Sequence, residues 1–310
     1  DEAVGPAREA AHGYAFGTPE EDARRRDITV NALFYDPATA SILDYVGGVE
    51  DLRGRRIRVI GDAGERFGED PVRVWRVIRY AARLGFAIDD DLAAAIRRQR
   101  GLLGNCSQAR LYEAFSKDLL GARSREVFAG HRDFGVLRLL LGRIGEALEE
   151  DEALFAASAS LLAVADGEKE AGRTPGLDEL VALLLWPWAE PQLGAGGADP
   201  FPLLKKAFLA AGMLVPLPKG MRAQVIDLLA LTARLRRALG DGAFRGSLRQ
   251  RPNFAQASRL CAAITLGRAP RAEESFETLF QQAFPGRPLE GQRPRRRRRR
   301  RSSQPPSATN

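Results

Sequence analysis

The chain has 310 residues, 45% of them hydrophobic, and a formal net charge of +7. That length suits two or three domains with a well-buried core, and no apolar run approaches the roughly 18 residues a membrane span needs. Cys106 and Cys261 stand far apart beside only two histidines, His12 and His131. This supports neither a disulfide framework nor a zinc site and suits a reducing cytoplasm; any metal would have to be held by carboxylates.

The positive charge is concentrated at one end. From Gly286 onward nine arginines face one acid, Glu290, so the preceding residues sum to slightly below zero. The run Arg295, Arg296, Arg297, Arg298, Arg299, Arg300 and Arg301 has almost nothing apolar to bury. Residues 286–310 are therefore expected to be a disordered arm that solubilises or binds a polyanion, with RNA favoured. The chain begins at Asp1 rather than Met, and its N-terminus is read as truncated or processed.

In chain order, Thr18, Pro19 and Glu21 spell a helix start: an N-cap, a proline at the first helical position and a capping box. The helix carries EEDARRRD and ends in Asp27, beside Arg25 and Arg26. The residues alone leave two roles open for Asp27: a partner for one of those arginines or a turn cap, or an acid with chemistry to do. Two apolar runs flank Asp36-Pro37 between Ala32 and Val46, a hairpin by composition. Arg56 to Gly61 reads as a third strand. Three strands are too few for an independent domain, so further strands are expected upstream of Asp1. Helices are expected near 70–84, 88–99, 107–120, 124–130, 152–166, 178–187, 202–212, 220–239, 254–267 and 272–284, broken by Gly/Pro-rich stretches at 167–177 and 190–202.

The helix in Gly68 to Phe86 has Asp70 as candidate N-cap, Pro71 at the first position and Gly85 past its end. On a helical wheel, Arg73, Arg76, Arg79 and Arg83 share one face, and Val74, Trp75, Val77, Ile78, Ala81 and Ala82 fill the other. Four arginines without a lysine favour planar recognition of phosphate or base edges over a merely solvated face, with Glu69 and Asp70 placed to hold one of them. A later helix puts Arg110, Glu113 and Lys117 on one face; by itself it is an ordinary amphipathic helix with an intrahelical ion pair.

The order RRDITVNALFYD, DYVGGVEDLRGRRIRVIG, GEDPVRVWRVIRYAARLGF, ARLYEAFSK resembles the class II tRNA nucleotidyltransferase/poly(A) polymerase family across Phe16 to Gly121. The lead-in FGTPEEDARRRD and the arginine-rich extension are similar to its bacterial poly(A)-adding branch. The resemblance implies an α+β fold: the C-terminal remnant of a nucleotidyltransferase head (1–64), a helical neck (65–122), a helical RNA-binding body (123–285) and the basic tail. It also implies template-independent addition of AMP from ATP to the 3′ ends of mRNAs and small RNAs, a polyadenylation that promotes turnover by RNA-degradation machinery, with two Mg²⁺ ions as cofactors.

On that resemblance Asp27 is the catalytic acid of the RRD motif, Arg25 and Arg26 lie near ribose or phosphates, and Asn31 supports the nucleotide. Asp70 and Arg73 read the base edge, with Glu69 beside them, and Arg76 lies near the triphosphate. Arg110, Glu113 and Lys117 brace the neck. The family's glycine-rich turn and carboxylate pair are expected upstream, so the principal metal ligands are missing from this chain and it is expected to be inactive by itself. The alternatives are a CCA-adding tRNA nucleotidyltransferase and a non-catalytic RNA-binding helical module.

Overall fold

Thr18 opens the first helix as its sequence predicts. Its hydroxyl accepts from the Glu21 amide, and its own amide donates to the Glu21 carboxylate at 2.9 Å, closing a capping box ahead of α1 (Pro19–Arg25). The computed structural model describes residues 17–194, 198–241 and 246–268, with isolated positions between 278 and 285. The helix expected at 272–284 falls almost wholly outside the described residues, as do Arg295 to Arg301.

After a turn of 3-10 helix at Thr29–Asn31, the chain forms an antiparallel hairpin of β1 (Leu33–Asp36) and β2 (Ser41–Asp44), with Tyr35 opposite Ile42. The Asp36 carboxylate closes the turn by accepting from the Ala38 amide at 2.9 Å and the Thr39 hydroxyl at 2.7 Å. Then comes α2 (Gly48–Gly54). A Cβ on Gly48 would lie 2.4 Å from the Thr29 carbonyl oxygen, so only glycine lets α2 approach that turn. Asp51, fully buried on α2, accepts from Thr29 Oγ1 at 2.6 Å, Arg56 Nε at 2.8 Å and Arg58 Nε at 2.9 Å. A buried carboxylate persists because every approach to it is a donor.

The third strand differs from the sequence expectation. Only β3 (Arg56–Ile57) forms a strand; beyond it Val59 pairs singly with Ile28 in an antiparallel bridge. The partner of β3 is not the hairpin but β4 (Ala87–Ile88), running parallel on the far side of α3 (Ala63–Glu69) and α4 (Val72–Leu84). Because β4 takes residues that the periodicity assigns to a helix, α5 (Asp90–Gln99) starts behind an Asp89 cap.

Nine helices follow among the described residues: α6 (Gln108–Leu120), α7 (Ser124–Asp133), α8 (Leu137–Leu141), α9 (Arg143–Glu150), α10 (Glu152–Glu170), α11 (Leu177–Ala189), α12 (Pro200–Ala210), α13 (Lys219–Gly240) and α14 (Phe254–Leu266). The pair α8 and α9 occupies a stretch where no helix was expected. Gly142 breaks it at φ 57°, and a Cβ on Gly145 would sit 1.9 Å from the Leu137 carbonyl oxygen, so the two short helices cross backbone to backbone. Helix α10 overruns the expected break because its last turns are tied down. Asp166 accepts from the Ser124 hydroxyl at 2.8 Å and the Arg125 amide at 3.0 Å. Lys169 donates to the carbonyls of Leu119 at 2.6 Å and Gly121 at 2.9 Å. An acid thus meets the start of α7 and a base the end of α6, each where the helix dipole favours it.

The result is a mostly helical α+β chain. One buried apolar cluster runs from Ile28 through Trp75 and Leu184 to Ala263, unbroken across residues 64–65 and 122–123. No helix among the described residues is long and apolar enough to cross a membrane.

Candidate functional site

Asp27 sits where α1 ends, 8% exposed. One carboxylate oxygen accepts from Arg73 Nε at 3.0 Å; the other pairs with Arg76 Nη2 at 2.7 Å. The i,i+3 spacing in the first turn of α4 brings both guanidinium groups to one carboxylate. Behind this pair lies a relay that fixes the arginine loop. Arg73 also donates to Glu69 at 2.8 Å and to the Arg66 carbonyl at 3.0 Å. Arg66 in turn donates to Glu69 at 2.7 Å and to the carbonyls of Arg25 and Arg26 at 2.9 and 3.0 Å. The Arg73 hydrogen bond holds the Glu69 carboxyl below its ordinary range. Arg66 was not singled out from sequence; no periodicity marks a side chain that caps another helix's carbonyls.

Asp70 and Arg110 meet at 2.7 Å, tying α6 to the entrance of α4. Burial pushes the Asp70 carboxyl up, but the Arg110 contacts and the Val72 amide outweigh it and hold it low. The expected cap is shifted by one residue: α4 starts at Val72 and Pro71 holds the cap position, while Asp70 accepts from the Val72 amide at 3.3 Å. Glu113 and Lys117 pair with each other at 2.5 Å on the surface, so of that helix motif only Arg110 reaches the α4 entrance.

An open cleft lies in front of the Asp27 pair, lined by Arg25, Arg26, Asp27, Asn31, Arg76 and Tyr80. Arg26 is held by Asp22 at 2.9 Å and by the Asn31 carbonyl at 2.7 Å, and it lies over the Phe34 ring at 4.8 Å. Arg76 keeps 40% of its side chain open. Arg73, at 12%, is turned away into its ion pairs. Tyr80, missed from sequence, falls between Arg76 and Arg73 on the α4 wheel, so the same projection that shows the basic face contains its one aromatic.

The expected row of four guanidinium groups on one face does not survive in the structure. Arg79 is buried and pairs with Asp118, its other arm donating to the Ala114 carbonyl at 2.8 Å. Arg83 donates to the Lys117 carbonyl. Helix α6 packs over this half of α4, burying Arg79 and half-burying Arg83. Asp118, fully buried, also accepts from the Trp75 indole and lies 2.8 Å from His131 Nε2. Burial raises its carboxyl, but His131, Arg79 and Trp75 together hold it below the ordinary range.

The cleft suits an anion and does not fit magnesium. Both oxygens of Asp27 are committed to guanidinium groups, and among the described residues no group of three or more His, Cys, Asp or Glu could hold a metal ion. Divalent magnesium takes carboxylates with free oxygens. Unmatched arginine charge takes phosphate.

The family model described as "Poly A polymerase head domain" matches residues 2–58, and "Probable RNA and SrmB- binding site of polymerase A" matches residues 85–147. Poly(A) polymerase I of Salmonella typhi is 32% identical over 249 residues, 77% of this chain and 53% of that protein. These matches make the chain similar to the tRNA nucleotidyltransferase/poly(A) polymerase family. It spans about half the length of the curated relatives it matches. Members with the other specificity are also similar: the CCA-adding enzyme of Bacillus velezensis is 36% identical over 125 residues, 40% of this chain and 31% of that one. A solved tRNA nucleotidyltransferase, complexed with a primer tRNA and an incoming ATP analog, shares this chain's fold. The TM-score is 0.54 at 23% identity, over 84% of this chain and 74% of that one.

Proposed function

We propose that this chain supplies the nucleotide- and RNA-handling surfaces for template-independent transfer of AMP from ATP to RNA 3′ ends. The observation that carries the reading is the cleft, in which two segments far apart in sequence converge on one carboxylate and leave Arg76 and the Arg25–Arg26 loop facing open space. In such a transfer a terminal hydroxyl attacks the α-phosphate and pyrophosphate leaves, so the protein's part is largely to position and to offset charge. Arg76, oriented by Asp27, binds the triphosphate, and Arg26, held by Asp22 and the Asn31 carbonyl, lines the cleft beside it. Asn31 and Tyr80 offer an amide and an aromatic ring to the nucleoside. Because the described donor set does not fit magnesium, no step here runs through the metal. RNA is the second partner, consistent with the family model over residues 85–147 and with the arginine run at the C-terminus. The downstream role is supply of tailed mRNAs and small RNAs to degradation machinery in the cytoplasm.

The second reading is CCA addition, favoured by the similarity to CCA-adding enzymes. The product of the complete gene, supplied with ATP alone or CTP alone on a generic RNA and on a tRNA lacking its 3′ end, separates the two. Long adenylate tails on the generic RNA support the proposal; CTP incorporation limited to tRNA refutes it. The 310-residue chain, titrated by equilibrium dialysis, is expected to hold ATP in preference to CTP. Equal affinity would remove base choice from this cleft.

A further inference from the structure

Among the described residues three non-glycine positions have left-handed backbone, and two are arginines, Arg55 at φ 52° and Arg123 at φ 65°. They belong to different segments, the end of α2 and the start of α7, yet they converge on the turn that ends α4. An ideal Cβ on Gly85 would lie 3.7 Å from a guanidinium nitrogen of Arg55 and 3.8 Å from one of Arg123. The two cations are therefore no further apart than those distances combined, inside the Debye length of about 8 Å at physiological salt. Neither has an acidic partner among the described residues; Arg55 only lies over the Phe86 ring at 5.9 Å. Both are exposed. Leu84, next to Gly85, and Leu120, three residues before Arg123, are 38% and 43% exposed.

Two like charges held close on strained backbone, with no counter-charge, oppose folding rather than support it. An arrangement of that kind fits a ligand that brings the missing charge. Arginine's planar fork favours phosphate, which it can engage bidentately, and the adjacent leucines suit the apolar parts of a nucleoside. Gly85 lies nine residues beyond Arg76 along α4, about 14 Å at 1.5 Å per residue.

We infer that Arg55 and Arg123 form a phosphodiester-binding site for single-stranded RNA, holding the body of the strand behind the end that enters the cleft. The inference rests on the proposed RNA-end function and deepens it by naming where the body of the strand lies.

The test uses the whole chain and its Arg55→Asn/Arg123→Asn double variant, with oligoadenylates of three to twelve nucleotides followed by fluorescence anisotropy across a salt series. Asparagine tolerates left-handed backbone, so the variant is expected to keep the wild-type melting temperature. Removing two phosphate contacts is expected to flatten the slope of log K against log salt by about 1.4. The rise in wild-type affinity with oligomer length is expected to be smaller in the variant. Hydrogen exchange at residues 84–87 and 120–125 should slow when RNA binds, a readout to which the C-terminal arginines do not contribute. An unchanged slope and length dependence, with wild-type RNA binding intact, overturns this site and leaves the proposed function standing. Loss of polyglutamate binding with RNA binding unchanged also overturns it and assigns the patch to an acidic protein. No RNA binding by the wild type defeats both.

Discussion

Helix α4 carries arginine at 73, 76, 79 and 83, and its two halves use the same side chain for opposite purposes. At the N-terminal half Arg73 and Arg76 grip Asp27 at the rim of an open cleft, and Arg76 remains 40% exposed. At the C-terminal half Arg79 is closed in with the fully buried Asp118. Residue type and helical face are common to both; what differs is whether α6 covers them. The covered pair specifies how α4, α6 and α7 assemble, and the uncovered one is free to meet a ligand.

The largest effect should come from the covered half. Asp118→Asn leaves Arg79 as an unpaired buried charge and should cost about 3–5 kcal/mol in urea unfolding. Since the folded Asp118 pKa lies below its unfolded value of about 3.9, its contribution is present above that value and lost as pH falls through the lower folded one. The wild type should therefore lose stability below about pH 4, and the variant's profile there should be flatter. Equal acid sensitivity in both would remove Asp118 from that role.

Asp27→Asn should cost less, about 1.5–3 kcal/mol, because Arg76 can turn to solvent, and it should also weaken ATP binding measured by calorimetry. A variant that loses stability but binds ATP normally would reduce Asp27 to a brace. Arg76→Gln should reverse the balance, moving the unfolding midpoint by less than about 0.5 kcal/mol while ATP affinity falls roughly tenfold. If Arg76→Gln destabilises as much as Asp118→Asn, the two halves of α4 are not distinct in the way described. Smallest of all, Glu113→Gln removes only an exposed pair on α6. It should leave both the melting temperature and ATP binding unchanged, and a clear drop in either would bring that pair into the site.

Much of this was legible in the sequence where the signal is local. The Thr18–Glu21 capping box, the Gly85 stop and the apolar face of α4 depend on neighbours within a turn or two, and they appear as read. The convergence of Arg25, Arg26, Asp27, Asn31 and Arg76 on one cleft was reached through the resemblance, not through spacing. The β3–β4 pair was illegible because two residues carry no period, and α8–α9 because a glycine break hides two short helices. The burial of Arg79 and the engagement of Arg83 were missed because a wheel shows which residues share a face but not which helix covers it. A clue did exist: Asp118 falls among Leu111, Phe115 and Leu119 on the apolar side of α6, and a carboxylate there needs a cation from across the interface.

The grip of α10 on the seam between α6 and α7 bears on how the molecule can move. With Asp166 locking the start of one helix and Lys169 the end of the other, the seam has no slack for a hinge. Amides on either side of Gly121 should open to exchange together, as one cooperative unit. The α1 end is tied more lightly: Arg66 reaches from α3 to the carbonyls of the arginine loop, so amides there should exchange ahead of that seam.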